Sequence, residues 1–215
     1  MHALNSHDSG WGSFRRAAAL CCSLLVIAGS FSFLTASPAQ PATATAIFAG
    51  GCFWCMEPPF DELEGVVSTT SGYTGGTTQQ PSYEQVSAGH TGHFEAVKVD
   101  YDPAIVTYAD LLEVFWRNID PMDSGGQFCD RGDQYRSAIF FGSPKQQRQA
   151  AESRRRISAE LESDGEIATE ILPVTEFYAA EEYHQDYYLK NPVRYKFYRF
   201  ACGRDGRLEE VWGEG

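Results

Sequence analysis

Basic residues are scarce in this 215-residue chain: 17 lysines and arginines stand against 29 aspartates and glutamates, a formal charge of −12. A nucleic-acid reader draws its affinity largely from phosphate neutralisation and carries the opposite excess, so nucleic acid is excluded as a partner. The one basic cluster, Arg154-Arg155-Arg156, follows Lys145 and Arg148 and precedes Glu160 and Glu162, the pattern of a solvated helix face. Zinc spacing is lacking too. Beside Cys52 and Cys55 there is no second CxxC and no CxxH or HxxxH partner, so no metal is expected. No internal repeat is visible. What is plentiful is apolar and aromatic: 43% hydrophobic and 13% aromatic residues, enough to bury one sizeable core and to argue against disorder. Tyr and Trp gather where an apolar wall must also offer a hydrogen bond, which fits an aromatic-lined pocket.

The N-terminus is a segment of another kind. Residues 1–16 are polar and end in Arg15-Arg16; eighteen uncharged residues follow, Ala17 to Leu34, and then the Ala/Ser/Pro/Thr-rich stretch Thr35 to Ala46. A basic start, an apolar run and small residues at the exit describe a secretory leader. Ser37-Pro38-Ala39 and Ala42-Thr43-Ala44 both suit cleavage. The run is a little long for a signal and a little short for a spanning helix, so a retained N-terminal anchor stays open beside cleavage. Arg15-Arg16 is followed by Ala-Ala-Ala, a weak twin-arginine signal, and Cys21 and Cys22 lack the approach of a lipoprotein site. The reading is a leader or anchor over 1–40, one domain over 41–215, and an exported protein, periplasmic or anchored facing the periplasm.

Along the domain, Ala44–Ala49 reads as a strand ending at Gly50-Gly51, and Cys52–Leu63 as a helix that Pro58-Pro59 kink or shorten. Val66–Ser71 and Phe94–Tyr101 read as strands, the second by sharp alternation. Tyr108–Asn118 carries a helical stripe, Pro121–Gln134 is a Gly/Asp-rich loop, Ser137–Phe141 a strand, and Pro144–Ser163 a long polar helix. Ile167–Thr175 reads as a strand and Glu181–Leu189 as a short helix; from Pro192 aromatics continue without clear period. The order β-α-β-β-α-β-α-β predicts an α/β (α+β) fold, a two-layer ferredoxin-like sandwich with a split β-α-β core and a long irregular C-terminal segment.

The sharpest chemical feature is Gly50-Gly51-Cys52-Phe53-Trp54-Cys55. Two glycines turn the chain tightly after a strand, and Cys52 lands at a helix N-terminus, where unpaired amides and the positive dipole end favour a thiolate. Phe53 and Trp54 form an apolar wall suited to a methyl group. Glu95, at the head of a half-buried strand, is placed for desolvation that raises its pKa and readies it as a proton donor, though alone it reads as a solvated edge charge. Tyr83 and Tyr135 alone read as core tyrosines, and Asp130-Arg131-Gly132 alone as a turn.

Together these residues resemble a known family. Gly51-Cys52-Phe53-Trp54, Ser71-Gly72-Tyr73 with Gly75-Gly76, Gly92-His93-Phe94-Glu95-Ala96-Val97, Asp130 through Ile139, and Tyr183-His184-Gln185 are similar, in order, to the A-type peptide methionine sulfoxide reductases. The likeness runs over roughly residues 44–213. It implies an α/β sandwich and reduction of the S epimer of methionine sulfoxide in proteins and peptides, with no metal or organic cofactor. It implies Cys52 as nucleophile, Phe53 and Trp54 holding the substrate methyl, Glu95, Tyr83 and Tyr135 around the sulfoxide oxygen, and Asp130 organising the pocket. The thiol that resolves the sulfenic acid is Cys55 or, after it, Cys202 in the C-terminal tail, with Cys129 third. A thioredoxin-like reductant and a monomer complete the expectation. Two rivals remain: a thioredoxin-like thiol:disulfide exchanger, in which Glu95 and Tyr135 are dispensable, and a module that binds oxidised methionine without needing Cys52.

Overall fold

The computed structural model describes residues 42–161 and 166–213. The expected leader, with Cys21 and Cys22, and the end of the expected helix at Ser163 lie outside the described residues. In chain order the elements are β1 (Ala44–Gly50), α1 (Phe53–Asp61), β2 (Val66–Thr74), α2 (Tyr83–Ser87), β3 (Phe94–Tyr101), α3 (Tyr108–Arg117), β4 (Gly126–Gln127), β5 (Asp130–Arg131), a short 3-10 helix (Asp133–Tyr135), β6 (Ser137–Phe141), α4 (Pro144–Glu160), β7 (Glu170–Pro173), β8 (Tyr178–Ala179), α5 (Tyr187–Lys190), α6 (Pro192–Ala201) and α7 (Arg204–Trp212).

Six strands form one mixed sheet in the order β7-β6-β1-β3-β2-β8. β1 runs antiparallel to β3 and β6, and β2 antiparallel to β3. β1 and β2 are therefore parallel with β3 between them, and β3 and β6 parallel with β1 between them. Those are the two interleaved split β-α-β units that the sequence order predicts. Strand alternation sorts the core. Ala46, Phe48, Val97 and Val99 face α1, α3 and α4, while Ile47, Ala49, Phe94 and Ala96 face the other side with Ala138 and Phe140. Phe48 sits at the centre, stacked on Phe60 at 5.2 Å and Phe115 at 5.1 Å; truncating such a side chain to Ala costs about 3–5 kcal/mol.

Two local outcomes differ from the sequence reading. The 121–134 stretch holds a small β4–β5 hairpin rather than a bare loop, turned at Phe128 with φ 57°. The C-terminal segment is not irregular: after the left-handed Asp186 it folds into α5, α6 and α7. α6 buries Tyr195 while leaving Val193, Phe197 and Phe200 exposed. Apolar residues thus lie on both sides of this helix, which erases the period by which a helix is recognised. α7 docks by Trp212 Nε1 donating to Ile119 O at 3.0 Å and by the Arg207–Asp120 ion pair.

Candidate active site

The turn from β1 into α1 builds the centre. Gly51 has φ +80°, and a Cβ there would lie 2.6 Å from Gln127 Cβ, so only glycine fits. Gln127 is itself locked by a paired exchange with the Asp120 backbone, both bonds 2.8 Å. Cys52 takes the N-cap position of α1, and its carbonyl accepts from Cys55 N–H at 3.0 Å. Pro58 and Pro59 lie inside α1 without breaking it, although each removes a donor and the helix stops at Asp61.

Cys52 and Cys55 are free thiols, both buried. A hydrogen bond with Cys52 outweighs burial and, helped by the charges of Arg204 and Arg199, lowers Cys55 to about 7. Burial pushes Cys52 up, and its partner thiol, Glu95 and Asp130 push the same way. The two sulfurs share a hydrogen bond. The anion of the pair therefore rests on Cys55 near neutral pH, and Cys52 keeps a proton that its neighbour can accept.

Glu95 is 2% exposed and accepts from Phe53 N–H through Oε2 at 3.2 Å. Burial raises its carboxyl to about 8 despite that bond and one from Tyr135. It is therefore protonated at neutral pH, the state required of a proton donor. Tyr83 opens α2 behind the Ser82–Gln85 capping box, and its N–H donates to Glu181 Oε1 at 2.9 Å. Burial, then Glu95, raises the Tyr83 hydroxyl to about 12, and the same two influences raise Tyr135. Cys52 acts electrostatically on both tyrosines. Asp130, also raised by burial, accepts from Tyr198 Oη at 2.6 Å. The structure thus brings Cys52, Cys55, Glu95, Tyr83, Tyr135 and Asp130 together, as the sequence grouping expects.

Phe53 is wholly buried, between Tyr73 at 6.0 Å and His184 at 5.0 Å. Trp54 stacks on Tyr187 at 3.7 Å and donates from Nε1 to His184 Nδ1 at 3.0 Å. Burial lowers His184, so the ring is neutral and its proton sits on Nε2. Gln185 ties this segment to β2 by bonds to Ser71 N and O at 2.9 and 3.0 Å. Tyr198 is the residue that sequence reasoning missed. Its hydroxyl bonds both Asp130 and Cys52, and burial raises it far above the usual phenol range. No sequence signal marks it, because it is one aromatic in an aromatic-rich stretch.

Cys202 is not on a mobile tail: it caps α6 and is disulfide-bonded to Cys129, 73 residues away. That pairing differs from those weighed on sequence, which joined Cys52 to Cys55, to Cys202 or, third, to Cys129. Among the described residues, Cys129, Asp130 and Cys202 are the one His/Cys/Asp/Glu group close enough to chelate a metal. As a disulfide the two sulfurs offer no thiolate ligand.

Known proteins resemble this chain in sequence and fold. The family described as Peptide methionine sulfoxide reductase matches residues 44–215. Peptide methionine sulfoxide reductase MsrA of Bacillus licheniformis is 52% identical over 168 residues, covering 78% of this chain and 93% of that protein. The MsrA of Bacillus subtilis is 50% identical over 168 residues, covering 78% and 95%. Among solved structures, methionine sulfoxide reductase A of Corynebacterium diphtheriae superposes with TM-score 0.68 at 40% identity, covering 72% of this chain and 77% of that one. Reduced Mxr1 of Saccharomyces cerevisiae gives 0.66 at 34% identity, covering 73% and 88%.

Proposed function

We propose, for a chain that belongs to the peptide methionine sulfoxide reductase family, that its domain reduces methionine S-sulfoxide in proteins and peptides to methionine, with Cys52 as nucleophile. The observation that carries this reading is a thiol hydrogen-bonded to an ionisable neighbour and surrounded by a protonated carboxyl and tyrosine hydroxyls. Cys55 takes the Cys52 proton through their shared hydrogen bond, and the Cys52 thiolate attacks the sulfoxide sulfur. Oxide cannot leave unprotonated, so Glu95 supplies a proton to the oxygen while Tyr83 and Tyr135 donate hydrogen bonds where negative charge grows. Oxygen passes to Cys52 as a sulfenic acid and the thioether departs: the substrate sulfur gains two electrons and the cysteine loses them. Phe53 and Trp54 hold the substrate methyl, and Asp130 with Tyr198 fixes the far wall.

Cys55 then attacks the sulfenic sulfur, water leaves, and a Cys52–Cys55 disulfide forms. Both residues occupy one helical turn, whereas Cys202 is held by Cys129. A thioredoxin-like dithiol reduces the disulfide and resets the enzyme. The N-terminal 40 residues direct export to the periplasm, cleaved or retained as an anchor, and the enzyme works as a monomer; N-terminal sequencing and sedimentation of the purified protein test these. For the reaction, peptides carrying resolved S and R sulfoxide epimers are the direct test. Turnover of S alone is expected, and equal turnover of R would reject the reading.

A further inference from the structure

Arg204, at the start of α7, is 1% exposed, and among the described residues no other Lys or Arg is buried to that degree. Burying a guanidinium is costly unless its charge is answered. Yet among the described residues no carboxylate pairs with it: Asp205 is engaged by Arg199 and Asp120 by Arg207, and Asp130 feels its charge without forming an ion pair with it. Its Nη2 donates to Asn118 O at 2.6 Å and Gly50 O at 3.2 Å and touches Met56 Sδ at 3.0 Å. Its plane lies 4.3 Å over the Phe128 ring, Nη1 comes 3.8 Å from the place a Cβ would take on Gly51, and Nε finds no acceptor. The cation is thus wedged under the turn before Cys52 and against the helix that carries Cys55. We infer that Arg204 is a positioning residue for the thiol pair: its locked charge is the counter-charge of the Cys52–Cys55 thiolate and, beside the hydrogen bond between the two sulfurs, helps to hold that anion at neutral pH.

Every charged neighbour of the pair bears on this. From α6 come Arg199, which acts in the same direction but is spent on Asp205 and Tyr195 Oη, and the neutral phenols Tyr195 and Tyr198. From β5 comes Asp130, which opposes the thiolate and is bound by Tyr198. From β3 comes Glu95, neutral until about 8. Tyr83 and Tyr135 are neutral donors. Arg204 is the fully buried cation on this roster, and besides Cys55 its charge acts on Asp130, which Tyr198 also binds.

The inference rests on the reductase reading for its purpose but is tested without sulfoxide. In reduced enzyme, the rate of iodoacetamide alkylation at Cys52 and Cys55, resolved by mass spectrometry, is followed against pH. Arg204→Met should raise the midpoint by roughly one unit or more, the scale of a lost neighbouring charge, and so slow alkylation below the midpoint about tenfold. Arg204→Lys keeps the charge without the planar fork and should stay near wild type, which a packing role would not produce. An unchanged midpoint in folded Arg204→Met overturns the inference. Should that variant not fold, urea unfolding of reduced wild type is compared with Cys52→Ser/Cys55→Ser. A folded pKa below the unfolded value adds stability as pH rises. Wild type should therefore gain up to about tenfold in folding constant over the double variant between roughly pH 6 and 8.5, above which the raised Cys52 thiol works in the opposite direction. Parallel curves would overturn the proposal as well. Failure of either test leaves Cys52 as the nucleophile, and loss of sulfoxide turnover alone leaves Arg204 as the counter-charge.

Discussion

The two cysteine pairs of this domain could hardly be placed more differently. Cys52 and Cys55 share a helical turn, are buried and carry free thiols; Cys129 and Cys202 are 73 residues apart, partly exposed and bonded to each other. The first pair is surrounded by groups that decide where a proton sits. The second joins the residue before Asp130 to the cap of the helix that carries Tyr198, and Asp130 and Tyr198 are themselves hydrogen-bonded. On the proposed reading, chemistry belongs to the buried pair and tethering of the pocket wall to the exposed one.

The sharpest break of that comparison is Cys55→Ser. It should release about one equivalent of methionine in a single turnover and then stall as sulfenic acid, since a thioredoxin-like partner needs a disulfide to attack. Continued cycling would hand the resolving role to Cys202 or Cys129. Next in size is Glu95→Gln, expected to slow single-turnover reduction by ~10²–10⁴-fold. With Cys55 lowered to about 7 and Glu95 raised to about 8, the wild-type rate should climb as the thiol pair ionises and drop as Glu95 loses its proton. The glutamine variant should lose the alkaline fall; if the fall persisted unchanged, Glu95 would not be the acid.

Tyr198→Phe removes one hydroxyl from the wall and should cost about tenfold in rate, the scale of one hydrogen bond between an ionisable pair. Smallest in rate is the exposed pair: Cys129→Ser should change single-turnover kinetics only a few-fold yet lower stability by up to about 4 kcal/mol from the released loop closure. Denaturant midpoints measured beside the rate separate the two effects. A large rate loss at unchanged stability would move the disulfide from tether to catalyst.

Legibility in the sequence followed the same division. The turn into Cys52 is readable because Gly50-Gly51 before it is a local backbone demand; Glu95 is legible only through the family motif around it, since alone it reads as an edge charge, whereas β3 buries Phe94 to Val97 on both faces. The split β-α-β order followed from strands and helices whose periods are intact. Tyr198, Arg204 and the Cys129–Cys202 pairing were not readable. All depend on α6 and α7 folding back on the β4–β5 hairpin, and α6 hides its helical period by carrying exposed Phe197 and Phe200 beside buried Tyr195. The expected strand Ile167–Thr175 shrank to β7, and the expected helix from Glu181 begins only at Tyr187, after the left-handed Asp186. Pro58-Pro59 point to a kinked or shortened helix, and α1 does end at Asp61 rather than Leu63 while Phe60 still packs into the core.

The central claim is that Cys52 takes the sulfoxide oxygen. Cys55→Ser enzyme, treated with one equivalent of S-sulfoxide peptide and then with a sulfenic-acid trapping dione, tests it most directly. The account predicts one reduced peptide per enzyme and one adduct, on Cys52, with neither in the Cys52→Ser protein. An adduct on any other cysteine, or peptide reduced without Cys52, would contradict it.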